Sequence, residues 1–139
     1  MDKFKEIRPI VLGLAIRNGK VLVSEGYDKV KNQTFYRCLG GGIEFLEKSD
    51  VALKREFMEE IGANVSVKDL LGVFENIFTF NGKQAHELVF VYSVVLNDYD
   101  FKDEYSILDL PGHFAKWIDV NVFKRNEDIL YPTEVVELL

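Results

Sequence analysis

Three glutamates, Glu56, Glu59 and Glu60, follow a run of three glycines, Gly40, Gly41 and Gly42, at a distance that one short helix would span. At about 100° per residue, positions i, i+3 and i+4 of a helix share one face. Three carboxylates on one face repel each other unless a cation stands between them. The cations that choose carboxylate and carbonyl oxygens are hard ones, Mg²⁺ or Mn²⁺, and Mg²⁺ completes its shell with water and substrate phosphate. The residue types therefore describe a divalent-metal site suited to phosphate chemistry. The glycines allow a turn without a Cβ penalty and let carbonyls and amides approach a ligand closely; taken alone, the triplet reads equally as a plain tight turn. The glutamates fall in the C-terminal half of the helix, where the macrodipole disfavours them. A bound cation offsets that cost. Arg55 and Glu47 carry opposite charges and can tie the glycine loop to the helix while orienting Glu56, because a charge taken out of water requires a partner.

Gly41, Glu47, Arg55, Glu56, Glu59, Glu60 and Gly62 fill all seven fixed positions of a longer pattern, with apolar Phe57 and small Ala63 at its variable apolar places. The stretch 41–63 resembles the Nudix box from end to end, a coincidence on the order of 10⁻⁸ at a given start position. It departs mildly: Phe45-Leu46 stands where many members have Pro-Gly or a residue followed by Gly. The resemblance implies Glu59 and Glu60 as metal ligands, Glu56 as a ligand or as the base that activates water, and the Gly40 carbonyl as a further ligand. It implies Mg²⁺, with Mn²⁺ as an alternative. The implied activity is hydrolysis of a pyrophosphate bond in a nucleoside diphosphate linked to another moiety: a nucleoside triphosphate, a nucleotide sugar or a dinucleoside polyphosphate. A Nudix-fold module that senses a nucleotide without cleaving it is the competing reading, although such modules commonly lose box carboxylates and this sequence keeps them. An acidic structural protein with a fortuitous box is a third.

Around this centre the expected catalytic set is Glu56 and Glu59 with Arg55 and Glu87, and Gly41, Glu47 and Gly62 support the site. Glu87, just ahead of an apolar run, competes with Glu104 as a carboxylate outside the box, since some Nudix enzymes take their base from a loop elsewhere. Glu44 lies in the glycine loop and reads as a neighbour of the site or as exposed. Arg8 and Arg37 are the candidates to receive phosphates, and Phe35 or Tyr36 to stack on a base, against the commoner fate of strand aromatics as core. His86 and His113 read as ordinary strand-edge or loop histidines.

The 139 residues, 47% of them hydrophobic, make one domain over 1–139 with enough apolar material for a core. A net charge of −6 argues against general nucleic-acid backbone binding and leaves room for a local basic pocket. The expected partner is a small nucleotide-type substrate. A single cysteine, Cys38, precludes an internal disulfide, no Cys/His cluster suggests zinc, and both fit a cytoplasmic setting. The basic stretch 1–8 followed by apolar 9–16 imitates a signal peptide, but no small-residue cleavage site follows. No apolar run approaches the roughly 18 residues of a membrane span. A homodimer is compatible with the chain, although no interface pattern stands out.

The elements that must position these groups follow from periodicity. Residues 7–16 and 21–25 are β-branched runs about Asn18-Gly19, a hairpin signal. Residues 34–39 form a short strand entering the glycines. A helix starts at Ser49 or Asp50 as N-cap and ends near Ile61 before Gly62. Two extended pieces, 65–70 and 72–80, meet Asn81-Gly82, and 87–96 returns almost wholly apolar, as a strand buried on both faces does. Residues 97–113 are expected to be a surface loop, 116–119 a short strand leading to a brief helix through Phe123, and Pro132 the first turn of a C-terminal helix. The fold class is α/β, a Nudix-type α/β/α sandwich with a mixed β-sheet between helices.

Overall fold

A computed structural model describes residues 5–139. The first residues of the basic stretch, 1–4, lie outside the described residues. Strand β1 (Ile7–Arg17) turns into β2 (Lys20–Asp28) at Asn18-Gly19, both with positive φ (51° and 75°), which is the conformation a type I′ hairpin requires. Strand β3 (Gln33–Gly42) runs into the glycine loop and helix α1 (Ser49–Ile61). Strands β4 (Val65–Phe80) and β5 (Lys83–Leu96) form a long hairpin about Asn81-Gly82, again with positive φ at both residues. The remaining elements are β6 (Glu104–Ser106), β7 (Phe114–Asp119), α2 (Val120–Lys124) and β8 (Leu130–Tyr131).

The sheet is mixed, in the order β4-β5-β1-β3-β2-β7-β6, with β8 paired to β3. β1 runs parallel to β5, with Arg8 opposite Glu87, and antiparallel to the end of β3, where Leu12 meets Gly40 and Ile10 meets Gly42. The β1–β3 register reaches only Gly13↔Leu39, and from there β3 continues outward against β2. The glycines thus sit where strands part, beside the helix they lead into.

One face of the sheet carries α1. Its Ala52, Leu53, Phe57 and Ile61 are buried against Val11, Ala15, Leu22 and Leu39. Burying a side chain the size of Phe57 stabilises by about 1.5–3 kcal/mol. Gly13 lets the helix come close, since a Cβ there would lie 2.7 Å from the Phe57 ring. On the other face Ile10, Leu12, Val21, Val23, Tyr36 and Cys38 pack under Phe123 of α2, Leu130 and Val135. Burial pushes the Cys38 thiol up to about 12, so it stays a protonated apolar filler. Among the described residues no helix is long and apolar enough to cross a membrane.

Four local expectations are corrected. The C-terminal helix is a six-residue 3₁₀ run (Thr133–Leu138), and Pro132 stands before it in extended conformation; its backbone bonds, such as Val135 N–H to Pro132 O, span three residues rather than four. The N-cap of α1 is Lys48, without a side-chain cap, because the Ser49 hydroxyl bonds Tyr92 and the Asp50 carboxylate accepts from the next residue, Val51. The pieces 65–70 and 72–80 are one strand, interrupted by register shifts around Leu70 and Gly72 that a bulge accommodates. The stretch 97–113 contains β6, which pairs with β7.

Candidate active site

The glycine loop is built for close approach. Gly40 has φ +153°, and a Cβ on it would lie 1.9 Å from the Val11 carbonyl oxygen, so no side chain fits. At Gly41 a Cβ would fall 2.5 Å from the Glu56 carboxylate: that carboxylate occupies the space the glycine leaves. Gly62 ends α1 in the left-handed conformation (φ 67°), its N–H donating to Met58 O, a helix stop that glycine makes without strain. Leu46 takes a similar φ of +68° at the place where the family pattern favours glycine.

Arg55 joins loop and helix. Its Nε and Nη2 donate to the two oxygens of Glu47, each at 2.8 Å, and Nη2 also donates to the Gly42 carbonyl at 2.9 Å. Its Nη1 donates to Glu56 at 2.9 Å and to Glu59 at 3.2 Å. Such a bidentate fork is stronger than an ordinary ion pair. These bonds, with the Glu44 N–H, hold the Glu47 carboxyl down at about 2 and raise Arg55 further above its ordinary value. Glu44 itself is exposed, 3.8 Å from Arg55 Nη1.

The three helix glutamates differ. Glu59 is half in solvent. Burial raises the Glu56 carboxyl, with Arg55 opposing. Burial first, then the neighbouring charge of Glu56, pushes Glu60 up to about 8, with the Gly40 backbone pulling the other way. Glu60 Oε2 is buried with no hydrogen-bond partner among the described residues. A buried oxygen left unpaired is costly. Among the described residues no three His, Cys, Asp or Glu side chains already form a metal cage, and Arg55 Nη1 bridges Glu56 and Glu59. The donor set is all oxygen, with one oxygen lacking a partner, and that chemistry fits a hard divalent cation.

Beside the glutamates opens a cavity of about 210 Å³, walled by the glycines, Glu60, Arg8, Arg37 and Glu87. Arg8 Nη2 is 3.8 Å from where a Cβ on Gly42 would stand. Arg37 Nη2 donates to Glu87 Oε1 at 2.7 Å. Phe35, two residues along β3, packs edge-on to Phe80 (5.9 Å) and tilted against Tyr131 (5.4 Å). Tyr36 instead lies in the core against Phe123, its hydroxyl donating to Glu25. Glu104 is exposed on β6 opposite Lys116, at the far edge of the sheet from β5. His86 lies on β5 opposite Ile77, and His113 sits in the turn before β7, where its backbone bonds Ile107 and Leu110.

Sequence reasoning missed Asp109. The loop carrying it is pinned to the end of α1 by Leu108 N–H donating to Glu60 O at 2.8 Å. The charge of Asp109 raises both Glu56 and Glu60. Its only signal in the sequence is an acidic stretch of no regular period.

The sequence model of the NUDIX domain matches residues 7–136. No curated protein sequence matches significantly. Among solved structures, a NUDIX hydrolase from Nitrosomonas europaea is similar at TM-score 0.69 and 19% identity, over 95% of this chain and 85% of that one. A MutT NUDIX hydrolase from Burkholderia pseudomallei gives 0.66 and 21%, over 95% and 96%. A hydrolase of the NUDIX family from Clostridium perfringens gives 0.64 and 19%, over 96% and 98%. At these identities the structures establish the fold.

Proposed function

Because this chain belongs to the NUDIX family of hydrolases, matched over residues 7–136, we propose that it cleaves a pyrophosphate bond with Mg²⁺, in a nucleoside diphosphate linked to another moiety. The observation that carries this reading is the buried, unpartnered Glu60 Oε2 beside Glu56 at the glycine loop. Glu59, Glu60 and the Gly40 carbonyl would hold the ion, with Glu56 adjoining. When bound, Mg²⁺ neutralises pyrophosphate oxygens and acidifies water.

The remaining work belongs to the chain. Arg55 fixes Glu56 against Gly41, where burial makes its carboxylate more basic than an ordinary glutamate. Glu56 then takes the proton of the attacking water. The water oxygen bonds to phosphorus, the bridging P–O bond breaks, and the departing phosphate carries the electron pair. Arg8 and Arg37 bind phosphate oxygens in the cleft, and Phe35 borders the base.

Glu59→Gln and Glu60→Gln keep the shape of the carboxylates and remove their charge. Each is expected to lower kcat by at least about 100-fold at saturating Mg²⁺, in line with loss of a principal electrostatic group, while the thermal unfolding profile stays native-like. Near wild-type turnover in either variant would remove the glutamates from the reaction.

A further inference from the structure

Glu87 is only 4% exposed, on β5 between Arg8 of β1 and Asn76 of β4. A sheet-interior position of this kind has little freedom to move. Its Oε1 accepts from Arg37 Nη2 at 2.7 Å, and Arg37 comes from β3, which β1 separates from β5 in the sheet. The Arg37 side chain is 30% exposed, and its Nε is buried without an acceptor. Among the described residues the guanidinium therefore spends one donor on Glu87 and keeps others unspent in the cavity that the glycines also line. Its charge also reaches Glu60, whose carboxyl it pulls down.

A general base must meet the water it deprotonates. Glu87 instead lies under the arginine. A free arginine side chain has much rotamer freedom to lose on binding, and a rigid anion that holds it in place beforehand spares the substrate that cost.

We propose that Glu87 is a positioning residue: it fixes the Arg37 guanidinium in the cleft so that the remaining donors meet a phosphate oxygen of the substrate, and it takes no proton in the reaction. This rests on the pyrophosphate-hydrolysis reading.

The test is steady-state kinetics of Glu87→Gln, Arg37→Met and the double variant on the nucleoside triphosphate that the wild type cleaves fastest. Glu87→Gln is expected to raise KM about tenfold, the size of one charge-assisted hydrogen bond. Its kcat stays within about threefold, and the pH profile of kcat keeps its shape. The double variant should be no worse than Arg37→Met, because the two act as a unit. A fall in kcat of about 100-fold at constant KM, with the basic group lost from the pH profile, would overturn the proposal, as would additive penalties. If Glu87→Gln does not fold, Arg37→Met/Glu87→Met removes both charges together. A kcat within about threefold of Arg37→Met supports positioning, and a further hundredfold loss overturns it.

Calorimetric binding of inorganic pyrophosphate with Mg²⁺ separates the two layers of the reading. If the wild type binds it, both single variants bind about tenfold more weakly, and no nucleotide is cleaved, positioning stands and hydrolysis falls. Pyrophosphate affinity unchanged in Glu87→Gln, or absent in the wild type, overturns the positioning role however fast nucleotides turn over.

Discussion

Leu46 is a residue in the wrong conformation for its type. At φ +68° a side chain costs about 1–2 kcal/mol, whereas glycine there costs about 0.5–1 kcal/mol in unfolded-chain entropy. Leu46→Gly should therefore stabilise the protein by up to about 1 kcal/mol, read as a higher urea midpoint at unchanged m. A lower midpoint would mean that the exposed leucine makes a contact worth more than its strain. Glu47 gives the complementary case at low pH. Its carboxyl, near 4.5 when unfolded, is held at about 2 when folded. Because the folded value is depressed, the stabilisation is full above the unfolded value and disappears as pH falls from there towards the folded one. Glu47→Gln should flatten the acid limb of the stability curve in that window, and a limb identical to wild type would show that other carboxylates set it. The box residues were legible because their chemistry depends on fixed spacing. Asp109 was not: its place beside Glu56 and Glu60 is set by the Leu108 bond to Glu60 O, a tertiary contact with no period in sequence.

Among the elements, those with a local cause could be read. Asn-Gly dictated both hairpin turns, and Gly62 dictated the end of α1. Elements that depend on a distant partner escaped. β8 has two residues and exists because Tyr36 and Arg37 of β3 pair with it. β6 has three and exists because β7 lies alongside. The C-terminal run has the apolar spacing of a helix, yet its backbone bonds close over three residues, Val135 N–H to Pro132 O and Leu139 N–H to Val136 O. The close docking of α1 on β1 leads to a direct prediction. Gly13→Ala would place a methyl 2.7 Å from the fully buried Phe57 ring, which has no free end to swing away. We expect about 1–3 kcal/mol of destabilisation, visible as a lower denaturant midpoint. An unchanged midpoint would show that helix and sheet can separate without cost.

At the scale of the molecule, layers on both sides of the sheet were foreseeable from the almost wholly apolar run 87–96 of β5, whose residues enter both cores. The two covers are unequal: a full helix on one face, and α2 with a 3₁₀ run on the other. The cleft lies where β3 leaves β1, so α1 brings the glutamates to one side of it while β1, β3 and β5 bring Arg8, Arg37 and Glu87 to the other. A chain with net charge −6 thereby gathers two arginines at one place. On the proposed reading, the group beyond the diphosphate meets that cleft, and fold alone does not name it. The most direct measurement of pyrophosphate hydrolysis is phosphate release, coupled to a phosphatase where needed, across nucleoside triphosphates, nucleotide sugars and dinucleoside polyphosphates, with Mg²⁺, Mn²⁺ or EDTA. Hydrolysis of at least one member with Mg²⁺, abolished by EDTA, is the predicted result. Hydrolysis that persists in EDTA, or nucleotide binding with no turnover on any substrate, would contradict it.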